Sequence, residues 1–337
     1  MSDTSVLNPI VLKQFLLDSG VDVAGDLDVE LISGGKSNLT FGVSDGVSKW
    51  VVRRPPTGGL TPSAHDMNRE WAVTKGLQGT AVPVAATVAI DTDGSVLGAP
   101  CTVVEFVDGQ VIRTREDVEV FDDNAVEANV GALVDTLAAL HAVDYNAVGL
   151  GEFGRPDGFA ARQVKLWARQ WGIVKTRELA DIERLITALN DRLPTSARNG
   201  IVHGDFRCDN TIVAADDPGK VLAVVDWEMS TLGDTLTDVA LMCVYRRPVF
   251  DRVLGFSAAW TSDRYPSADD LASRYAEVAG VDLGDWPFYL GLANLKLGVI
   301  AEGIAHRALA GAGDSENAKA AEVTGEFIAE GLRQVAG

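Results

Sequence analysis

Cysteine is scarce in this sequence. Cys101, Cys208 and Cys243 are the only 3 among 337 residues, far apart and odd in number. They exclude a disulfide scaffold and a Cys-rich zinc pattern. Cations are scarce too: 29 Lys and Arg stand against 48 Asp and Glu, a formal charge of −19. Such a field repels nucleic acid and anionic membrane surfaces, so neither is an expected partner. It does not forbid a nucleotide site, because a local cation cluster or a metal reverses the sign. The N-terminus has no basic region followed by an apolar run, and no uninterrupted apolar stretch reaches bilayer-spanning length; no signal peptide or membrane helix is expected. A Rossmann-type dinucleotide-binding fold has little support in the sequence. Repeats and low-complexity tracts are missing as well. A reducing, cytoplasmic location follows as the expectation.

What is there is a proper core. Apolar residues make up 47% of the chain, and its length exceeds what one hydrophobic core usually serves, so two lobes are expected. Residues 8–19 read as a short helix. "DVELISGGKSNLTFGVSDGVSKWVVRRPP" reads as three strands, with a tight hairpin at Asp45-Gly46 and a stop at Pro55-Pro56. A helix follows from about Asp66 to Leu77, then more strands around a turn at Asp93-Gly94. Beyond Gly109 the periodicity becomes helical in "NAVEANVGALVDTLAALHAVD", "ARQVKLWARQWGIVKT" and "LADIERLITALNDRL". Short strands "GIVHGD", "NTIVAA" and "VLAVVDW" interrupt. From about Leu236 helices return, with loops near Pro266 and Pro287 and a packed terminal helix in "NLKLGVIAEGIAHRALAG". The boundary falls between a small sheet-rich lobe, 1–108, and a larger, mostly helical one, 109–337.

The stretch "IVHGDFRCDN" puts His203, Asp205, Arg207, Asp209 and Asn210 together. Asn210 opens a strand, the turn "DDPGK" follows, and "VLAVVDWE" returns. An antiparallel hairpin of this length brings Asp226 back beside Asn210. One carboxylate and one amide oxygen on adjacent strand ends suit a hard magnesium ion shared with phosphate oxygens. Asp205, at the start of the loop, can then accept the proton of a hydroxyl. Phosphoryl transfer divides labour in this way. Each Asp taken singly is as readily a cap or turn residue; the two clusters together are the specific signal.

"HGDFRCDN" followed by "VVDWE" resembles the signature of the aminoglycoside phosphotransferase and choline kinase-like family. "LISGGKSNLTF", "WVVRRPP", "NREWAVTKGL", "VVEFVDG" and "GIAHRALAG" extend the resemblance over nearly the whole chain. It is nearest the branch that includes the kinase-like domain attached to certain acyl-CoA dehydrogenases. The resemblance implies an α+β, protein-kinase-like bilobal fold, with ATP and Mg²⁺ as cofactors and transfer to a small-molecule hydroxyl acceptor. It implies that Asp205 is the catalytic Asp, that Asn210 and Asp226 are magnesium ligands, and that Glu228 adds a further metal contact. His203 would steady the loop. Arg207 would contact phosphate or hold the loop through a carboxylate.

In the small lobe, the resemblance casts Gly34, Gly35, Lys36, Ser37 and Asn38 as the loop over the ATP phosphates. Kinases place Lys where this chain has "VVRRPP". Arg53 is the match, reaching α/β-phosphates and pairing with Glu70, and strand alternation sends Arg54 to the opposite face, toward solvent. Backbone groups near Glu105 and Val107 would bind adenine. Asp234 and Asp238, four apart before an apolar run, read as structural: a cap, and a bond to buried backbone. Trp167 and Trp171 read as core, with a share in an acceptor pocket open to them; Glu302, His306 and Arg307 could face the cleft.

Acceptors left open are an aminoglycoside-like amino alcohol and a hydroxyacyl derivative. The reading from another class is a nucleotide-binding pseudokinase or regulatory protein, which the arginine at the lysine position favours and the retained Asp205, Asn210 and Asp226 disfavour. Oligomeric state is not written in the sequence.

Overall fold

The computed structural model of the chain describes residues 6–33, 38–55, 66–311 and 315–336. Helix α1 (Pro9–Asp18) starts at Asn8, whose side chain accepts from the N–H groups of Ile10 and Val11. Strands β1 (Asp28–Ser33), β2 (Leu39–Ser44) and β3 (Lys49–Arg54) follow. The Asp45-Gly46 hairpin joins β2 and β3: Gly46 takes φ 88°, and Asp45 Oδ1 accepts from Val47 and Ser48. Helix α2 (Met67–Leu77), capped by Asp66, leads to β4 (Thr87–Asp91) and β5 (Cys101–Glu105). The five strands form one antiparallel sheet in the order β1-β2-β3-β5-β4. Phe41, Trp50, Val52 and Val103 pack with Leu12 and Leu16 into its core.

The larger lobe begins with α3 (Arg115–Glu119), α4 (Asp123–Ala142), α5 (Phe159–Val174) and α6 (Ala180–Asp191). Four short strands follow, β6 (Asn199–Val202), β7 (Thr211–Val213), β8 (Val221–Val224) and β9 (Thr231–Asp234). Helices α7 (Leu236–Val244), α8 (Val249–Leu254), α9 (Ala268–Ala279), α10 (Trp286–Leu309) and α11 (Thr324–Ala336) complete it. The fold is therefore α+β and bilobal. Val73 and Leu77 of α2 join the second lobe's core, so α2 packs on both sides of the cleft.

Three readings are corrected here. The spacing of Asp234 and Asp238 suggests one helix, yet Asp234 ends β9 and only Asp238 lies in α7. Strand β9 pairs with β6, and its four residues are too short a run to show a period of two. Pro287 does not mark a loop but sits in the first turn of α10, where no N–H is needed for a helical bond. And α10 is not terminal, because α11 packs along it. Helix α10 is long and apolar enough, by length and composition, to cross a bilayer, but 78% of that stretch is buried within the protein. A helix apolar on all sides is what a core position requires.

Candidate active site

Strand β6 carries the chain into residues 203–210, and β7 and β8 bring it back. Thr211 faces Val224, and the N–H of Val225 donates to Asn210 O at 2.9 Å, which sets Asp226 beside Asn210 as the hairpin argument requires. The loop is held from below by Asp238. Its Oδ2 accepts the N–H of His203 at 2.6 Å and its Oδ1 that of Gly204 at 2.8 Å, while His141 Nε2 lies 3.3 Å away. Burial opposes this charge, but His141, His203 and the two backbone donors outweigh it and hold the carboxyl below its ordinary range. His203 is fully buried. Its Nδ1 accepts from Asp205 N–H at 3.2 Å and its Nε2 is 3.0 Å from Val225 O. With both ring nitrogens bound to backbone, His203 steadies the loop and has no nitrogen left for a reacting atom.

Asp205 is surrounded by donors. Tyr245 Oη–H donates to Oδ1; Arg207 and Asn210 Nδ2 approach Oδ2 at 3.3 and 3.1 Å. Arg207 also pairs with Asp209 at 2.9 Å and lies against the rings of Tyr245 and Phe250. Burial works against its charge, and Asp205 and Asp209 more than offset that. These carboxylate contacts match the loop-holding one of the two roles expected for Arg207. Three donors hold the Asp205 carboxylate in a fixed orientation.

The turn after β8 is different. Asp226 has φ 65° and ψ 58°, the one left-handed non-glycine among the described residues, a conformation that costs an L-residue about 1–2 kcal/mol. Its Oδ1 lies 3.3 Å from Arg53. Asn210 turns its Nδ2 onto Asp205, so its Oδ1 is left without a protein donor among the described residues. Glu228 Oε2 is buried and likewise has no partner there. Burial, with Asp226 next, pushes the Glu228 carboxyl up to about 7. No group of three or more His, Cys, Asp or Glu side chains gathers into a metal cluster among the described residues.

Across the cleft, Arg53 points in and pairs with Glu70 at 2.6 Å. Burial disfavours its charge, but Glu70 and Asp226 hold it firmly protonated. Arg54 does alternate to the other face, but that face is not solvent. Arg54 is 6% exposed, and its guanidinium donates to Val6 O at 2.5 Å beneath the sheet. The carbonyls of the chain's first turn and of Leu97 draw it inward, a tertiary effect that strand alternation does not contain. Gly34, Gly35, Lys36 and Ser37 lie outside the described residues; Asn38, beside them, is buried. Glu105 N–H bonds Ala86 O and Phe106 N–H bonds Lys49 O, whereas Val107 N–H has no backbone partner among the described residues.

A cavity of about 760 Å³ opens beside Gly204 and Glu228 and runs between α5 and α10. Trp167 lines it, and Trp171 is buried in the core. Arg307 lines its far end, His306 is exposed, and Glu302 is not in the cavity at all: it is fully buried and accepts from Thr176 and Thr324. Asp234 accepts Tyr289 Oη–H at 2.7 Å, a structural role. Sequence reasoning passes over Tyr245, just past α7, and Lys296 of α10, which reach the loop, and His141 of α4, which reaches Asp238 beneath it. Only Lys296 leaves a trace in the sequence, as a lone cation in the apolar run "YLGLANLKLGVI".

A profile of the phosphotransferase enzyme family matches residues 28–271. The chain is 31% identical over 315 residues to acyl-CoA dehydrogenase family member 10 of Mus musculus, covering 92% of this chain and 29% of that protein. It is 32% identical over 312 residues to family member 11 of Homo sapiens, covering 91% and 40%. It thus spans well under half the length of these relatives. A crystal structure of a Ralstonia eutropha protein assigned to the aminoglycoside phosphotransferases superposes with TM-score 0.85 at 28% identity, covering 98% of each chain. The fold also matches aminoglycoside 2'-phosphotransferase-IIIa in its GDP complex, at TM-score 0.65 and 15% identity over 96% of this chain and 99% of that one.

Proposed function

The chain belongs to the phosphotransferase enzyme family, a kinase acting on an alcohol, and we propose that its acceptor is a hydroxyacyl derivative, phosphorylated by ATP and magnesium with its hydroxyl oriented by Asp205. The cavity beside the catalytic loop carries this reading. Its walls are largely apolar, with Trp167, Leu292, Val299 and Ile300 prominent. Two carboxylates line it, Glu228 and Asp238, and Asp238 is already bound to two backbone N–H groups. A polycationic amino alcohol needs several free carboxylates to replace its water. An acyl chain needs apolar walls, and these are present. The relatives that carry acyl-CoA dehydrogenase names support the same class.

In this reading residues 1–108 hold ATP and residues 109–337 hold the acceptor, with adenine on the backbone near Glu105 and Val107. Arg53, fixed by Glu70, faces the phosphate oxygens. The pseudokinase alternative rests on arginine standing at the lysine position; the Arg53–Glu70 pair supplies the cation that position requires and favours the active enzyme. Asn210 Oδ1, Asp226 and Glu228 would hold magnesium: an amide oxygen and crowded carboxylates, one with a buried oxygen that has no partner among the described residues, are hard donors suited to that ion. Magnesium, when bound, supplies positive charge to the phosphate oxygens. Asp205 accepts a hydrogen bond from the acceptor hydroxyl and aims its oxygen at the γ-phosphorus. The new O–P bond forms as the bond to ADP breaks, and the hydroxyl proton passes to the Asp205 carboxylate late in the transfer. Three buried free thiols suit a cytoplasmic, reducing location.

The test is transfer from γ-labelled ATP with magnesium to hydroxyacyl-CoAs, choline-like alcohols and aminoglycosides, with Asp205→Asn as control. Label in a hydroxyacyl product, lost in the control, is expected. Label in aminoglycosides alone overturns the acceptor, and ATP binding without transfer to any class returns weight to the pseudokinase.

A further inference from the structure

Helix α10 is largely apolar, yet it carries one half-buried cation to the cavity wall beside the loop 203–210. Lys296 Nζ donates to Gly204 O at 2.6 Å and lies 5.7 Å from the centre of the Trp167 ring. Among the described residues it forms no ion pair. An ammonium has three N–H donors. Gly204 takes one and the face of Trp167 screens another side, so one donor remains for the cavity that Lys296 lines. Burial holds this ammonium below its ordinary value, with the charges of Asp205 and Asp238 opposing that shift. A desolvated cation with an unfilled donor is costly to keep unless something arrives to fill it.

Its position decides what that is. Gly204 is bonded to Asp205, so Lys296 stands next to the place where the acceptor hydroxyl must lie. Arg307, the other cation on the cavity wall, is eleven residues along α10, roughly 16 Å at the helical rise. The two cannot read the same group on a small acceptor.

We infer that Lys296 is a specificity-determining residue of the acceptor site, donating a hydrogen bond to an anionic or carbonyl oxygen close to the reacting hydroxyl and rejecting acceptors with an ammonium there. This rests on the cavity being the acceptor site of the phosphotransferase described above. The chain's overall charge of −19 draws cations to every surface. A preference for anions in this cavity therefore runs against the global field and has to be local.

The experiment uses unreactive probes, decanoate and decylammonium, whose binding to the full chain is measured by calorimetry. Wild type is expected to bind decanoate at least about tenfold tighter, the worth of one charge-assisted hydrogen bond. The ratio should fall to about one in Lys296→Met, invert in Lys296→Glu, and persist in Lys296→Arg and Arg307→Gln. Equal binding by wild type overturns the inference without any variant. So does a ratio that survives in Lys296→Met or disappears in Arg307→Gln. A decanoate preference that depends on Lys296, with no phosphoryl transfer to any acceptor, would remove the enzymatic reading and leave the anion subsite standing.

Discussion

Residues 203–210 and residues 225–229 face each other across one hairpin and are built on opposite principles. In the first, the key polar groups are engaged: Asp238 holds two N–H groups, His203 uses both ring nitrogens, and Asp205 receives Tyr245, Arg207 and Asn210. In the second, Asp226 sits in a left-handed conformation and Glu228 buries an oxygen without a partner among the described residues. The first is a finished support that fixes one carboxylate. The second stores strain and unmet charge, which makes sense where a ligand completes the structure.

The contrast can be broken by mutation. Asp205→Asn should lower transfer by roughly a hundred- to ten-thousandfold while nucleotide affinity holds, because Asp205 orients the acceptor hydroxyl and holds neither ATP nor magnesium. Asp226→Ala should weaken both. Equilibrium nucleotide binding beside labelled transfer separates the two, and a variant pair with identical profiles would erase the distinction.

Asp238→Asn attacks the support itself. Removing a buried, bonded carboxylate should cost about 3 kcal/mol at neutral pH, read from denaturant midpoints. The native Asp238 carboxyl titrates below its ordinary 3.8. Its contribution is therefore present above that pH and lost as pH falls through the native value, so the gap between variant and wild type should narrow on acidification. A gap that widens in acid would contradict the assignment.

The strain in the other region gives a smaller signal. Asp226→Gly removes the Cβ that the left-handed backbone disfavours, and Asp226→Ala keeps it. The glycine variant should be the more stable by about 1 kcal/mol although both lose magnesium-dependent transfer. Equal melting temperatures would mean that no strain is stored there.

Smallest is Arg53→Lys. Both residues carry charge, but Lys cannot keep the two-pronged hold on Glu70 and Asp226. KM for ATP should rise by less than about tenfold with kcat moved less. A larger loss of kcat than of KM would give Arg53 a part in the chemical step beyond phosphate binding.

Much of this was legible in the chain's own order. The hairpin after Asn210, the helices starting near residue 8 and Asp66, and the turn at Asp45-Gly46 rest on neighbours a few positions apart, and short spacing is what sequence records. Strand β9 was not legible, since four residues flanked by a helix show no alternation. Arg54 was misread for a related reason: strand geometry says which face a side chain takes, not what covers that face.

The sequence by itself determined the two lobes, the polar loop 203–210 and its facing carboxylate, because periodicity and turn chemistry are local. Only the tertiary structure decided that Tyr245 and Lys296 stand at Asp205 and Gly204, 40 and 92 positions away in sequence, and that Asp226 is strained. Those facts depend on helices from distant parts of the chain packing into one core, and no local pattern encodes where a buried polar group finds its partner.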